Sequence, residues 1–355
     1  MKSLSYAISV AAEKRKVYIA MLFIHCVYAG MALFSKAAIS KGMNPFVFVV
    51  YRQAFAFLAL APFAFFFESS KEVPLSYTLL IKIFFISLFG ITLSLNLYYV
   101  AINYTSATFA AATTTAIPAI TFVMAVLLRM ESISIKKMHG LAKVLGSVSS
   151  LSGALVYALI KGPPLKFMNW FPENLDHQIH PQSSSKGEWI KGSLIMLSAN
   201  TAWSMWLILQ GPIVKEYPAK LRLTALQCFF SCMQSAFWTI AIERRPSAWK
   251  IGWDIHLLAV VYCGVIVTGI TYWLQVWVIE KKGSVFTAMF TPLALIITAI
   301  FSAIMWKEAI YWGSIGGGLL LVAGLYSVLW GKEKENQEIR DNDQKQEHKE
   351  EVLLV

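Results

Sequence analysis

The sequence contains ten apolar stretches, each about as long as the roughly 20 residues that an α-helix needs to cross the hydrocarbon core of a bilayer. Each stretch is apolar throughout rather than alternating, which excludes the strand pattern of a membrane barrel. The sequence therefore predicts an all-α membrane protein with ten transmembrane helices. The stretches cover approximately 17–37, 46–67, 79–101, 105–128, 138–160, 189–209, 222–242, 255–278, 284–306 and 309–330.

Composition supports a lipid environment and excludes several other classes. Of the 355 residues, 57% are hydrophobic and 14% are charged, which is more apolar surface than a soluble domain of this size can bury. Lys and Arg gather at the ends of the stretches, at headgroup level, and form no separate basic face for a nucleic acid. All four cysteines lie inside apolar stretches, so we expect neither disulfides nor a zinc site, and no cofactor. They are Cys26, Cys228, Cys232 and Cys263.

Three segments lie outside the spans. Residues 1–16 are basic and precede a first span that we expect to be retained, and 161–188 form a polar, Pro-rich linker. Residues 332–355 have mixed charge and no apolar period, which predicts a disordered tail. Lys and Arg are more numerous on the side that carries the termini, so we expect both termini in the cytosol.

An internal repeat relates the two halves of the chain. The motif GITLSLN at 90–96 in the first half matches GITYWLQ at 269–275 in the second. Further on, SATF at 106–109 matches GSVF at 283–286, and the register set by this match pairs Thr114 with Thr291. The sequence thus predicts two homologous five-helix units, 17–160 and 189–331. The same registers, or ones shifted by a few residues, also pair Glu131 with Glu308, Pro45 with Pro218 and Gln53 with Gln227.

Five spans is an odd number, so the second unit enters the membrane from the opposite side. Inverted repeats of this kind are typical of secondary transporters, which bind a small solute near the midplane and work by alternating access. A membrane-embedded enzyme would need ionisable residues converging inside the spans, and no Asp or Glu lies deep in any span. A channel or receptor has no need for the repeat. We therefore expect a transporter and not an enzyme. Its expected partners are a solute, the lipid bilayer and, for a proton-coupled carrier, protons.

Three segments also resemble a known family: Tyr104–Glu131, Gly283–Glu308 and Gly317–Lys332. They are similar to the plant drug/metabolite exporters of the EamA type, in particular the WAT1-related group, also called nodulin MtN21-like or UMAMIT. The resemblance implies a ten-helix carrier of amino acids, or of related metabolites such as auxin, in the plasma or vacuolar membrane. Two residues depart from the family pattern, Ser284 in place of a proline and Trp306 in place of a glycine.

Polar side chains inside spans predict where a solute binds, because they are costly in lipid. Asn96 and Tyr99 follow Thr92 on one stripe of the third span, and Tyr272 and Gln275 lie at the matching place in the eighth. These side chains line a cavity or make hydrogen bonds between helices, and the sequence leaves both possibilities open. We favour the cavity, because amides both donate to and accept from a zwitterionic amino acid.

Arg52 lies inside the second span, where its guanidinium either receives a substrate carboxylate or reaches the headgroups. His25 is more typical of a packing residue than of a proton carrier. A polar and aromatic set on the remaining spans completes the predicted substrate site. It comprises Tyr28, Gln53, Thr114, Asn200, Trp203, Gln227 and Thr291.

Pro118 and Pro292 interrupt the fourth and ninth spans, and each removes a backbone donor, which predicts hinges. Charged residues near span ends have structural interpretations: Glu131 and Glu308 as caps of the next helix, Lys82 and Lys143 as headgroup-reaching or helix-pairing side chains. Glycines in the fifth and tenth spans predict close helix packing. They are Gly146, Gly153, Gly313, Gly317 and Gly324.

Overall fold

The structure is a computed structural model, and its regular elements are helices throughout the part of the chain that it describes. That part comprises residues 2–68, 75–104, 113–131, 137–159, 186–306 and 312–353. The predicted linker 161–188 lies almost entirely outside it. Within the described residues, six helices are long and apolar enough to cross a membrane, and two shorter apolar helices accompany them. The predicted all-α membrane fold is confirmed.

Six of the helices are continuous, and we number the helices α1 to α10 in chain order. The continuous ones are α1 (Lys2–Ser40), α2 (Pro45–Phe67), α5 (Met138–Leu159), α6 (Lys186–Glu216), α7 (Lys220–Ile242) and α10 (Trp312–Leu353). Local chemistry sets the start of α2: the Asn44 side chain accepts hydrogen bonds from the first free backbone N–H groups, and Pro45 occupies a position that needs no donor.

Four helices are irregular, and they fall at matching places in the two halves. α3 runs over Tyr77–Ile86, a π-helical stretch Ser87–Thr92, and Leu93–Tyr104; α8 runs over Ile255–Val261, a π-helical stretch Tyr262–Ile270, and Thr271–Lys282. α4 (Ile117–Leu127) starts after a turn and has Pro118 as its second residue, and α9 is broken at Phe290 between Ser284–Met289 and Thr291–Trp306. Both π-helical stretches contain part of the repeated GIT motif.

The packing of the helices has an approximate twofold symmetry that exchanges the halves. α2 packs on α7 and α5 packs on α10, so each of these helices contacts its own counterpart. α1 packs on α8 and α9, as α6 packs on α3 and α4. This arrangement is the one expected when two copies of a five-helix unit face each other in opposite orientations.

Glycines bring α5 and α10 into backbone contact. A Cβ atom placed on Gly146 would lie 2.7 Å from the carbonyl oxygen of Gly324, and one on Gly324 would lie 2.6 Å from that of Gly146. A Cβ on Gly153 would meet the carbonyl oxygen of Gly317 at 2.9 Å. Only glycine fits at such distances, and the predicted close packing of these two helices is confirmed for these residues.

Ion pairs join the two halves at the end of the bundle where α2 ends and α3 begins, which we call the termini end. Lys82 of α3 lies 2.8 Å from Glu216 of α6, and the backbone N–H of Arg222 donates to Glu68 at 2.9 Å. Glu131 pairs with Lys143 at 3.2 Å and with Lys332 of α10. The helix-pairing interpretation of Lys82 and Lys143 is therefore the correct one.

The structure differs from two expectations about this end. Lysines from α5 and α10, rather than the start of the next helix, take both carboxylate oxygens of Glu131. α10 continues to Leu353 through the segment for which the sequence predicts a disordered tail. Ion pairs of Glu335 with Lys143 and of Glu338 with Lys137 support the first turns, and the remaining Glu, Lys and Gln residues favour helix. Glu308 lies outside the described residues.

Candidate substrate site

A buried guanidinium lies where the second helix of the first half meets the eighth helix. Arg52 on α2 is only 2% exposed, and its Nε donates to the Thr268 hydroxyl at 2.6 Å. Its Nη2 lies 3.4 Å from the Tyr272 hydroxyl, and Tyr99 and Tyr28 lie beside it. No carboxylate pairs with Arg52 within the described residues, which leaves a formal positive charge among phenols and hydroxyls.

The π-helical stretch of α8 explains how Thr268 reaches this position. The Thr268 hydroxyl donates at 2.9 Å to the carbonyl oxygen of Cys263, five residues earlier, which is the spacing of a π-helix. Gly264 lets this stretch approach α2, because a Cβ at Gly264 would lie 2.8 Å from the carbonyl oxygen of Arg52. A π-helical insertion and a glycine thus place a hydroxyl opposite the guanidinium.

Unpartnered polar atoms lie on the helices that carry and face Arg52. Tyr28 on α1 lies close to Thr271 and Gln275 of α8, and neither its hydroxyl nor the Gln275 Oε1 has a hydrogen-bond partner within the described chain. Gln53 is fully buried, and both atoms of its amide lack partners among the described residues. Buried polar atoms without partners are costly, so Tyr28 and Gln275, which lie near Arg52, are candidates to contact a polar ligand.

An aromatic cluster adjoins Tyr272. The rings of Trp203 and Trp206 on α6 are stacked with centroids 4.8 Å apart, and Tyr272 lies 5.4 Å from Trp203 and 5.2 Å from Trp206. Gly90 permits this arrangement, because a Cβ there would lie 2.7 Å from the Trp206 Cβ. The site therefore combines one cation, several hydroxyl and amide groups, and an apolar aromatic wall.

Three other predicted site residues make hydrogen bonds within or between helices. Asn96 donates to the Thr92 carbonyl at 2.8 Å and lies 3.4 Å from Ser235 on α7, although its Oδ1 is unpartnered within the described chain. Gln227 exchanges hydrogen bonds with Gln210 and accepts one from the Trp206 indole. Asn200 donates to the Thr113 carbonyl at 2.9 Å. The amide groups of these three residues thus contribute to the packing of the bundle.

The predicted threonines and prolines of α4 and α9 lie next to the points where these helices are interrupted. Thr114 is helical and immediately precedes the turn at residues 115 and 116 before α4, and Thr291 begins the second piece of α9. Pro118 is in the first turn of α4, and Pro292 follows Thr291. Both helices are interrupted next to these prolines, as the sequence predicts. A role of the two positions as hinges stays a prediction.

Several partners of Thr92, Asn96 and Gln227 in the second half were not predicted from the sequence, namely Gln210 on α6 and Ser231, Gln234 and Ser235 on α7. Thr92 is hydrogen-bonded to Ser231 and Gln234 of α7, and Gln210 of α6 faces Gln227. A signal was present, because polar residues at intervals of four in an apolar helix indicate a contact with another helix. Ser231 and Ser235 have that spacing.

Comparison with known proteins identifies the family. The model of the EamA-like transporter family matches residues 15–153 and again residues 190–330. The chain belongs to the EamA-like transporter family. The two matches correspond to the two helical halves, so the transporter fold accounts for both halves of the described bundle. The protein is a multi-pass membrane protein that transports small solutes.

Relatives place it in the WAT1-related group of plants. It is 59% identical to the WAT1-related protein At1g43650 of Arabidopsis thaliana, over 96% of this chain and 99% of that protein. It is 50% identical to the WAT1-related protein At5g64700 of the same plant, over 93% and 94%. A protein of known crystal structure, 15% identical, superposes with a TM-score of 0.63 over 88% of this chain and 97% of the other, and this shows the shared fold.

Proposed function

We propose that this transporter carries amino acids by alternating access and binds the substrate carboxylate at Arg52. The observation that supports this most is a fully buried guanidinium with no carboxylate partner within the described residues. A buried unpaired charge is destabilising, and a bidentate carboxylate would relieve that cost. The charge required to complete the site is then supplied by the solute.

The neighbouring atoms favour an amino acid over a plain carboxylate. Within the described chain, Gln275 Oε1 and the Tyr28 hydroxyl are unpartnered oxygen atoms in the neighbourhood of Arg52, and oxygens accept hydrogen bonds from an ammonium group. Gln53 adds a further unpartnered amide on the same turn of α2 as Arg52. Trp203 and Tyr272 supply an apolar surface for the substrate side chain.

Auxin is the alternative substrate, because it also has a carboxylate and its aromatic ring suits the wall of Trp203, Trp206 and Tyr272. It has no ammonium group, so it leaves the free oxygens unused. We further propose that both termini face the cytosol and that the protein resides in the plasma or vacuolar membrane. Lys and Arg cluster at the termini end, as expected for a cytosolic face.

Uptake and efflux in oocytes test this proposal. Labelled amino acids and labelled auxin are compared in cells that express the parent protein, Arg52→Gln, or the control Arg245→Gln, whose arginine is exposed. We expect amino-acid flux in the parent and in the control, and its loss in Arg52→Gln at equal surface expression. Flux of auxin without flux of amino acids would show that the substrate is auxin and not an amino acid. Unchanged amino-acid flux in Arg52→Gln would show that Arg52 does not bind the substrate.

A further inference from the structure

The breaks in α4 and α9 occupy equivalent positions of the repeat, with the same backbone pattern. The register that pairs Thr114 with Thr291 also pairs Thr113 with Phe290. The Thr113 carbonyl accepts from the Ala116 N–H at 3.0 Å, and the Phe290 carbonyl accepts from the Leu293 N–H at 2.9 Å. Each broken helix therefore has a tight turn at the same point of its half.

A residue from the first helix of the opposite half lies against each break. Asn200 of α6 lies on the break in α4, and His25 of α1 lies on the break in α9, where its ring is parallel to that of Phe290 with centroids 6.4 Å apart. Aligning Met21–Leu22 with Met196–Leu197 places Asn200 opposite His25. His25 and Asn200 are thus equivalent residues in equivalent contacts.

The two contacts differ in one respect, which is hydrogen bonding. The Asn200 amide donates to the Thr113 carbonyl at 2.9 Å. His25 is only 2% exposed, and neither ring nitrogen has a partner within the described chain. A buried imidazole with both nitrogens unpartnered is costly, so it is expected to find a partner in another state of the protein.

In a protein made of inverted repeats, the state that opens to one side is related to the state that opens to the other by exchange of the two conformations of the repeat. We propose that His25 and Asn200 alternate as donors to the two broken helices. Asn200 holds α4 in the present conformation, and the His25 N–H donates to the Phe290 carbonyl in the conformation in which the two repeats have exchanged their arrangements. His25 is then a positioning residue for the movement of α9, and this role depends on alternating access but not on the identity of the substrate.

The repeat itself supplies the matched control variants. His25→Asn introduces the residue of the equivalent position and keeps a donor, whereas His25→Leu removes the donor. We expect His25→Leu to lower the maximal rate of transport about fivefold with little change in KM, the loss of roughly one hydrogen bond. His25→Asn should restore at least half of that rate. Equal losses in both variants would show that His25 only packs.

A second measurement does not depend on transport. Cysteine pairs at Lys82 and Glu216, and at Asn44 and Glu243, report closure at the termini end and at the opposite end, because each pair of parent side chains is in contact across the halves. A protease site is placed in the linker, so that after cleavage the two halves stay joined only where a thiol crosslinker has linked a cysteine pair. We expect His25→Leu and Asn200→Leu to shift the ratio of the two crosslinks in opposite directions. Shifts in the same direction, or no shift, would overturn the proposal, whereas absence of amino-acid flux alone would count only against the proposed substrate.

Discussion

The contact between α5 and α10 has kept the symmetry of the repeat, whereas the contact between α2 and α8 has lost it. Gly146 and Gly324 mirror each other, and each would bring a Cβ within 2.7 Å of the other's carbonyl oxygen. Arg52 has no such counterpart, because the register that pairs Gln53 with Gln227 places Leu226 opposite it. A scaffold of backbone contacts constrains both copies equally, while a binding site needs each group only once.

The same divergence separates Asn96 from Gln275, which occupy matching positions of the GIT motif. Asn96 uses its amide nitrogen in contacts with α3 itself and with α7, whereas Gln275 lies near Tyr28, and each of these two amides has an oxygen without a partner among the described residues. The first half contributes the Arg52 cation and the Tyr28 and Tyr99 phenols, and the second contributes the Thr268 hydroxyl, the aromatic wall and Gln275. An inverted-repeat carrier therefore achieves a symmetric movement around an asymmetric site.

The largest effect on transport should come from removing Arg52, and an arginine at the equivalent position of the second half should not compensate for it. Arg52→Leu should lower uptake at subsaturating substrate about 100-fold, since truncating one partner of a buried charge pair costs about 2–5 kcal/mol. The double variant Arg52→Leu with Leu226→Arg should not recover, because Thr268 and Tyr272 face Arg52. Initial rates of uptake measure both. Recovery in the double variant would mean that the two positions are interchangeable and the site is symmetric.

A clash in the scaffold should affect stability rather than substrate recognition. Gly146→Ala should lower the free energy of unfolding by about 1–3 kcal/mol through overpacking against α10. Gly318→Ala is the control, because its added Cβ would meet nothing within 4 Å, and it should be neutral or stabilise α10 by about 0.5–1 kcal/mol. Thermal unfolding in detergent measures the difference. Equal melting temperatures would show that α5 and α10 are not in backbone contact.

Substitution of Gln275 should mainly change the KM for amino acids, whereas substitution of Asn96 should mainly change the free energy of unfolding. Gln275→Ala should raise the KM for amino acids about tenfold, the loss of roughly one hydrogen bond to a charged group. Asn96→Ala should change KM less than about threefold and lower the free energy of unfolding by about 1 kcal/mol, because it loses contacts within the bundle. Uptake kinetics together with melting curves separate the two. A larger rise in KM for Asn96→Ala would place the substrate between α3 and α7.

The smallest effect concerns the ion pairs of Glu131 at the termini end. Burial alone would raise the pKa of the Glu131 carboxyl, but Lys332 and Lys143 beside it outweigh burial and hold that pKa below its usual range. The ionised carboxylate thus stabilises the fold fully at pH values above the ordinary pKa of Glu, and this stabilisation is lost as the pH falls through the lowered pKa.

Glu131→Gln should therefore lower the free energy of unfolding by about 1 kcal/mol at neutral pH and by less in acid. Melting temperatures of the parent and the variant between neutral and acidic pH test this, with transport unchanged in KM. A difference that grows on acidification would show that the carboxylate is not held ionised by the lysines.

The fold was predictable from the sequence because lipid imposes a strong pattern, and the repeat followed from motifs such as those around Gly90 and Gly269. The site was predictable in part. Polar groups in an apolar helix must meet something polar, and five of the predicted side chains do lie close together. They are Tyr28, Arg52, Tyr99, Tyr272 and Gln275.

The orientation of individual side chains was not predictable. Asn96 and Gln227 point at α7 and α6 because Ser235 and Gln210 lie opposite, and pairing across helices depends on rotation angles that the pattern does not encode. The contacts of the first turns of the tail were not predictable either, because Lys137 and Lys143 are distant in sequence from Glu338 and Glu335, with which they pair.

The most direct test of the central claim, that Arg52 receives the substrate carboxylate, is a competition experiment on parent and Arg52→Gln protein. A transported amino acid and its carboxamide analogue, which lacks the negative charge, compete for binding to the purified transporter. We predict that the parent prefers the acid by about 100-fold, as expected for about 2.7 kcal/mol from a charge-assisted contact, and that Arg52→Gln prefers it by less than about threefold. A preference that stays the same in Arg52→Gln would contradict the account.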